Sequence, residues 1–282
     1  MAGFLRYFRR NPALTAGLVI FLALVLFAGV GSLLVPSAKA YPLAVKASQP
    51  PSREYPFGTD AQGRDLLAMV IRGTYLTSRI GFIAGSIGLG IGTVLGFLSA
   101  YYGGVLDTII RWVVDVLLTV PGLLVLIVIS ATIKRGISVM GMSLIVSCLA
   151  WMGPTRTIRA QVLSLRERAF VRVAKLSGEG DLRIIFEELM PNLLPFLAAS
   201  FVGAVTGAVF ASMGLEALGL GSLREPTLGT AIYFAMFYSA FVSGMWWWFI
   251  APVSIIVLLF VSLFLISVGL DELANPRTRR AA

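Results

Sequence analysis

This sequence predicts an all-α, polytopic membrane fold of about six transmembrane helices, and three observations carry that expectation. Of its 282 residues 57% are hydrophobic and only 13% charged. The mean hydropathy of +0.88 lies far outside the range of soluble domains. Apolar runs of about twenty residues recur along the chain, the length at which an α-helix crosses roughly 30 Å of hydrocarbon. Lipid offers no hydrogen-bond partner to the backbone, so these runs are helices. The net charge of +9 then reports membrane topology, and no nucleic-acid partner is implied.

Residues 1–12, with Arg6, Arg9 and Arg10, read as a cytoplasmic segment before the first span, 13–35. Together with Ala38-Lys39-Ala40 this start imitates a secretory leader. The apolar run is longer than the about 7–15 residues of a leader's core, so a retained span is expected. Residues 36–79 are polar and Pro-rich and read as an extracytoplasmic loop. A transmembrane domain is expected over 80–269, and 270–282, with Arg277, Arg279 and Arg280, forms a basic cytoplasmic tail.

Within that domain the second span, Ile80–Tyr102, places Gly81, Gly85, Gly88, Gly92 and Gly96 on one helical face, a flat surface for close helix packing. Gly88-x-Gly90-x-Gly92 has no preceding strand and is not read as a nucleotide fingerprint. The third span, about Ile109–Ile133, carries Arg111 and Asp115 at i, i+4, read as a local ion pair with Arg111 snorkelling rather than a proton relay. Pro121 should kink it. The fourth span, about Val139–Trp151, is short. The fifth, about Leu193–Met213, is rich in small residues and contains Gly203-x-x-x-Gly207. A second external segment, Gly214–Gly244, has a turn at Pro226. Trp246-Trp247-Trp248 reads as an aromatic belt opening the sixth span, to about Gly269. With both termini inside, fourteen of the 23 Lys and Arg residues fall on the inner side; Lys134-Arg135 runs against the bias.

Residues 154–195 stand apart as a charged, helical loop between spans four and five. In the first half Ile158, Val162, Leu165, Ala169, Val173 and Leu176 share a face, with five arginines and Lys175 over the others, as in an amphipathic helix. Gly178-Glu179-Gly180 breaks it, and Asp181 is placed to cap a second, short helix. There Leu182, Ile185, Phe186, Leu189 and Met190 form an apolar face, and Arg183 pairs with Glu187. At roughly 14 Å that helix is too short to span a bilayer, so its face docks on a partner, its own spans or the headgroups.

The absence of His and the single Cys, Cys148, remove most metal sites, His-based triads and any internal disulfide. The sequence has no GxxxxGK[ST] loop, so ATP is not bound in that way. A self-contained channel or secondary transporter would favour internal repeats or an ionisable midplane, neither of which is evident. An intramembrane hydrolase lacks a credible catalytic dyad.

Residues 154–195 resemble the coupling motif of the inner-membrane permeases of binding-protein-dependent ABC importers, E-A-A-x3-G-x9-I-x-L-P. Ala174, Gly178, Pro191 and the spacing match; Arg172, Val173, Glu188 and Met190 depart. Further blocks are similar to the oligopeptide, dipeptide and nickel branch: Gly58-Thr59-Asp60 with Gly63-Arg64-Asp65, Asp181–Phe186, Pro191-Asn192, Leu218–Gly221, Trp247-Trp248 with Pro252, and Asn275-Pro276-Arg277.

The resemblance implies a type I importer fold in the cell membrane, with a coupling helix docked on an ATPase. It implies as partners a second homologous permease, two ATPase subunits that bind ATP and Mg, and an extracytoplasmic binding protein. No cofactor is implied for this chain. Short peptides are the implied cargo, with oligosaccharides or nickel as alternatives; few soft-metal ligands are present. Ala174, Gly178, Asp181, Leu182, Arg183, Ile185, Phe186, Leu189 and Pro191 are the implied coupling residues, with Gly178 as the turn and the apolar residues as anchor. For Gly58, Asp60, Gly63, Arg64 and Asp65 the residues themselves favour a turn plus helix cap, with Asp65 opening a helix toward Arg72. An outer gate or binding-protein contact is the functional alternative.

Overall fold

The computed structural model describes residues 11–133 and 136–274; Arg6, Arg9, Arg10, Lys134, Arg135 and the basic tail with Asn275-Pro276-Arg277 lie outside the described residues. The described residues are helical, without a strand.

Helix α1, Pro12–Leu34, begins where Asn11 accepts the N–H of Leu14, with proline at the first helical position. Helix α2, Leu66–Tyr102, opens on Asp65, whose carboxylate accepts the Leu67 N–H at 2.9 Å. The cap expected at Asp65 is thus present, but the first loop ends there. Residues 66–79, expected in the loop, form the first turns of a 37-residue helix. Arg72 and Arg79 interrupt the hydropathy, while Leu66, Met69, Val70, Leu76 and Ile80 keep a buried helical face across them.

The expected third span is two helices, α3 (Gly104–Thr119) and α4 (Gly122–Thr132), bent by 81° at Pro121. Val120 adopts φ −83°, ψ 128°, the extended backbone that a following proline imposes. Among the described residues no ion pair joins Arg111 and Asp115. The order with the cation N-terminal is the weaker one on a helix, and the strong ion pair of α3 is made by Asp107 instead.

Helix α5, Val139–Ala150, is capped by Ser138 and passes through Trp151 into α6, Met152–Arg166. Then come α7 (Ala169–Leu176), α8 (Asp181–Ala217), α9 (Leu228–Phe237) and α10 (Trp247–Ala274). Helix α9 lies inside the segment expected to be an external loop; Thr227 and Thr230 form its capping box. By length and composition α1, α2, α8 and α10 can cross a membrane, and α3 with α4 makes a fifth crossing if the bent pair is one span. The expected fourth span is the 12-residue α5.

The glycine face of α2 organises the packing. A Cβ at Gly81 or Gly85 would strike Val209 or Val205 of α8; at Gly88, Gly92 or Gly96 it would strike Ala150, Pro154 or Ile158, along the α5–α6 line. All five glycines are buried. Their missing side chains let three backbones approach, so a sequence of small residues becomes a helix junction. Helix α1 lies antiparallel to α10, with Gly17 against Ile266 and Leu14 against Gly269.

Candidate functional site

At one end of the bundle α6, α7 and the start of α8 form a bracket on the end of α2. The amphipathic helix expected over 158–176 is broken at Glu167-Arg168, where Arg168 is extended (φ −71°, ψ 152°). The break rotates the buried face: Ile158 and Val162 point inward before it, Val171 and Ala174 after it, and Val173 and Leu176 are turned out.

Helix α7 ends in a Schellman motif. Gly178 N–H donates to Lys175 O and Glu179 N–H to Ala174 O, with Gly178 at φ +79°, the left-handed conformation that glycine adopts without strain. Nothing lies within 4 Å of where its Cβ would be, so the demand for glycine is conformational. Asp181 then starts α8 and accepts the Tyr101 hydroxyl at 2.8 Å, tying the turn to the end of α2.

The second helix is not a separate short rod; Asp181–Ala217 is continuous over 37 residues. Between Ile184 and Leu189 its backbone widens into a π turn, in which Met190 N–H donates to Ile185 O. Pro191 supplies no N–H and crowds the preceding turn, and the wider turn accommodates it without ending the helix. This widening also divides the expected apolar face. Ile185 and Leu189 are 8% and 0% exposed and pack with Ile184, Val171 and Phe97. Leu182 and Phe186 are 67% and 62% exposed, and Val173 and Leu176 across the turn 61% and 89%. Four apolar side chains therefore stand out around Gly178. Arg183 and Glu187 pair at 2.8 Å in the open, as expected. Ala174 is buried and supports the turn from inside.

Sequence reading missed the clamp behind this bracket. Asp107 accepts from Arg159 Nε and a terminal guanidinium nitrogen and from the Ser99 hydroxyl, and Arg166 donates to Ala100 O at 2.6 Å. Only the acidic residue in the first turn of α3 hinted at it.

Along α8, Ser200, Gly203, Gly207, Ala211 and Gly214 face a cavity of about 750 Å³ shared with α4, α5, α6 and α10. A Cβ at Gly203 or Gly207 would meet nothing within 4 Å, so these glycines open space where those of α2 close it. Thr157, Ser200, Ser267 and Asp271 add polar groups to an otherwise apolar lining.

At the other end residues 36–65 fold onto α9 and the start of α10. Gly58 and Gly63 adopt φ +74° and +73°. Asp60 accepts the Gln62 and Arg64 N–H groups at 2.8 Å and faces Arg64 at 3.5 Å, whose guanidinium lies over Phe234. Burial pushes the Asp60 and Asp65 carboxyls above the usual range and the Arg64 guanidinium below its own. Asp60, Arg64 and Asp65 are all buried. The expected aromatic belt divides here: Trp248 is buried and Trp247 Nε1 donates to Thr59 O, leaving Trp246 facing outward. Glu216, also unforeseen, is buried between Gly221 and Gly229 where α8 meets α9.

Comparison with known proteins agrees with this architecture. The family model of the binding-protein-dependent transport system inner membrane component matches residues 92–280, and that of the N-terminal TM domain of oligopeptide transport permease C matches 1–51. The oligopeptide transport system permease protein OppC of Mycobacterium tuberculosis (strain ATCC 25618 / H37Rv) is 34% identical over 276 residues, 97% of this chain and 94% of the relative. The dipeptide transport system permease protein DppC of Bacillus subtilis (strain 168) is 30% identical over 275 residues, 98% and 85% respectively. The corresponding DppC of Haemophilus influenzae is 29% identical over 281 residues, 97% and 94%. A matched family model over two thirds of the sequence, on a bundle of membrane-crossing helices, makes this chain a member of the family of inner membrane components of binding-protein-dependent transport systems.

Proposed function

We propose that this chain is one of two homologous permease subunits of an ATP-driven importer in the cell membrane, forming half of the path for short peptides handed over by an extracytoplasmic binding protein. Both termini and the 154–190 bracket face the cytoplasm, where two ATPase subunits bind ATP and Mg; the chain itself catalyses no reaction. The observation that carries this reading is the outward apolar cluster of Val173, Leu176, Leu182 and Phe186 around Gly178. A patch of that kind in water is an interaction surface, and Arg183 and Glu187 give it a polar rim.

The bracket has the construction of a lever. Gly178 is its turn, Tyr101–Asp181 holds it to α2, and α8 carries a displacement at Asp181 without a break to the cavity and on to α9. The names of the relatives and the small, weakly charged lining of the cavity favour peptides as cargo. Buried Asp60, Arg64 and Asp65 act by shaping the outer loop, whose exposed rim meets the binding protein.

The test is reconstitution of the complex with its own binding protein, with peptide uptake and ATP hydrolysis both measured. Peptide should stimulate hydrolysis, and Gly178→Trp should leave hydrolysis but lose uptake. Uptake by this chain alone without ATP would overturn the reading, and normal coupling in Gly178→Trp would remove the turn from it.

A further inference from the structure

The cavity of about 750 Å³ beside α8 has a single charged side chain in its lining, Asp271, in the last turn of α10. An acid at that end opposes the helix dipole, so its position does nothing for the stability of α10. Asp271 belongs to none of the ion pairs of the described residues. Its neighbour Glu272 is already engaged, accepting the Asn11 side-chain amide at 2.8 Å on the α1 side. Asp271, one step of about 100° round the helix, is exposed and lines the cavity.

Two hydroxyls accompany it. Of the serines on α8 and α10, Ser212, Ser254 and Ser262 donate to a carbonyl of their own helix. Ser200 and Ser267 make no hydrogen bond among the described residues, and both line the cavity. Ser267 precedes Asp271 by one helical turn and so shares its face. The helix register brings Ser200 to the same level. Phe210 stacks on Phe260 at 3.8 Å, and Val205 and Val209 share a groove with Leu263 and Leu259, as antiparallel helices require. Counted away from that stack, Ser200 falls opposite Leu270, between Ser267 and Asp271. A carboxylate with two hydroxyls is an acceptor set that suits the three donors of a primary ammonium group. The lining contributed by this chain offers no cation to an anionic ligand.

We propose that Asp271, with Ser267 and Ser200, receives the free ammonium group of the peptide cargo, so that the peptide N-terminus points toward the end of the cavity nearest the bracket. The inference rests on the importer reading above and names the group of the cargo that the cavity recognises. Gly214 marks the opposite end of the lining, about 21 Å from Ser200 along α8 at 1.5 Å per residue. One charge in a lining of small and apolar residues discriminates by charge. A free amine gives Asp271 its counter-charge, an acylated N-terminus leaves it without one, and an acidic residue at that level is repelled. These three side chains determine specificity and take part in no reaction.

The test uses the whole reconstituted complex. Ser267→Cys, in a Cys148→Ser background, is labelled with a neutral maleimide in the presence of trialanine or N-acetyl-trialanine. Trialanine should slow labelling, and the acetylated peptide should need an at least about tenfold higher concentration for the same protection, the ratio that about 1.4 kcal/mol of lost pairing gives. Adding Asp271→Asn should remove that difference, and Asp271→Glu should keep it. In the otherwise unaltered chain Asp271→Asn should lower trialanine uptake at least about tenfold, with Asp271→Glu restoring most of it. Equal protection by the two peptides, a difference that survives Asp271→Asn, or no protection in a complex that imports trialanine overturns the ammonium site and leaves the importer reading standing. Absence of ATP-driven uptake of any short peptide by the unaltered complex overturns the reading on which the site rests.

Discussion

Asp107 receives two N–H groups from Arg159, at 2.5 and 2.7 Å, and this forked pair joins the start of α3 to the middle of α6 across 52 residues of sequence. Arg159 matches a carboxylate in the planar, two-pronged geometry that a lysine lacks. Both side chains are about one-fifth exposed, so the pair is worth less than a fully buried one. Asp107→Ala should therefore cost about 1.5–3 kcal/mol, the range for hydrogen bonds to charged groups. Amide exchange over residues 152–176 should quicken, while exchange in α1 and α10 stays unchanged. Arg159→Lys should recover only part of the loss.

The α2 junction makes an opposite pair of predictions for two glycines one and a half turns apart. A Cβ on Gly85 would stand 2.8 Å from the backbone nitrogen of Val205, and backbone cannot move aside as a side-chain tip can. Gly85→Leu should prevent α2 and α8 from closing, seen as loss of a monodisperse species on size exclusion. Gly90 has nothing within 4 Å of that position, and Gly90→Ala should raise stability by about 0.5–1 kcal/mol through reduced freedom of the unfolded helix.

The glycine junction was legible because a helix periodicity and small residues together leave one interpretation, and Asp65 was legible because an acid before an apolar run is a cap. Other features were hidden for physical reasons. Arg72 and Arg79 obscured the first turns of α2, since hydropathy averages over all faces of a helix while burial depends on one. The apolar face of 181–190 assumed an ideal α-helix; the π turn, forced by Pro191 from the C-terminal side, sends Ile185 and Leu189 inward and Phe186 outward. Asp107–Arg159 spans distant segments, and no local spacing reports such a pair. The two glycine sets of α2 and α8 have similar spacing, yet one is packed and the other lines a cavity.

The loop of residues 36–65 should have an unusual pH response. Asp60 is raised above its ordinary 3.8, with burial as the main cause and Arg64 and backbone N–H groups opposing. A raised carboxyl means that the folded loop binds the proton more tightly than the unfolded one. This contribution to stability is complete below about pH 3.8 and is lost as pH rises through the folded value. Asp65 acts in the same direction. Protection of residues 36–65 from proteolysis should thus improve on acidification from neutral pH, and Asp60→Asn should flatten that slope. Asp60→Ala should also cost about 1–3 kcal/mol at neutral pH by leaving the buried Arg64 N–H without its acceptor. If the loop serves the binding protein by its shape, uptake should fall with assembly intact; unchanged uptake would limit Asp60 to folding.

Phe186 and Leu189 lie within one turn of each other and should fail in different ways. Leu189 is fully buried against the end of α2, and Leu189→Ala should destabilise the isolated chain by about 2–5 kcal/mol, the cost of a cavity in a packed core. Phe186 is mostly exposed, so Phe186→Ala should leave the melting temperature of the isolated chain within about one degree, since a surface change away from caps and cores costs little. In the complex the ranking reverses. If Phe186 anchors the ATPase contact, its loss removes a central aromatic side chain from that interface, a change that costs 2 kcal/mol or more, about thirtyfold in affinity. Co-purification of the ATPase subunits and peptide-stimulated hydrolysis should both fall in Phe186→Ala, while the same change at Phe264, exposed to a similar degree on α10, should affect neither. Equal melting losses for Phe186→Ala and Leu189→Ala would show instead that Phe186 folds back into the core and that the outward cluster is not the docking surface.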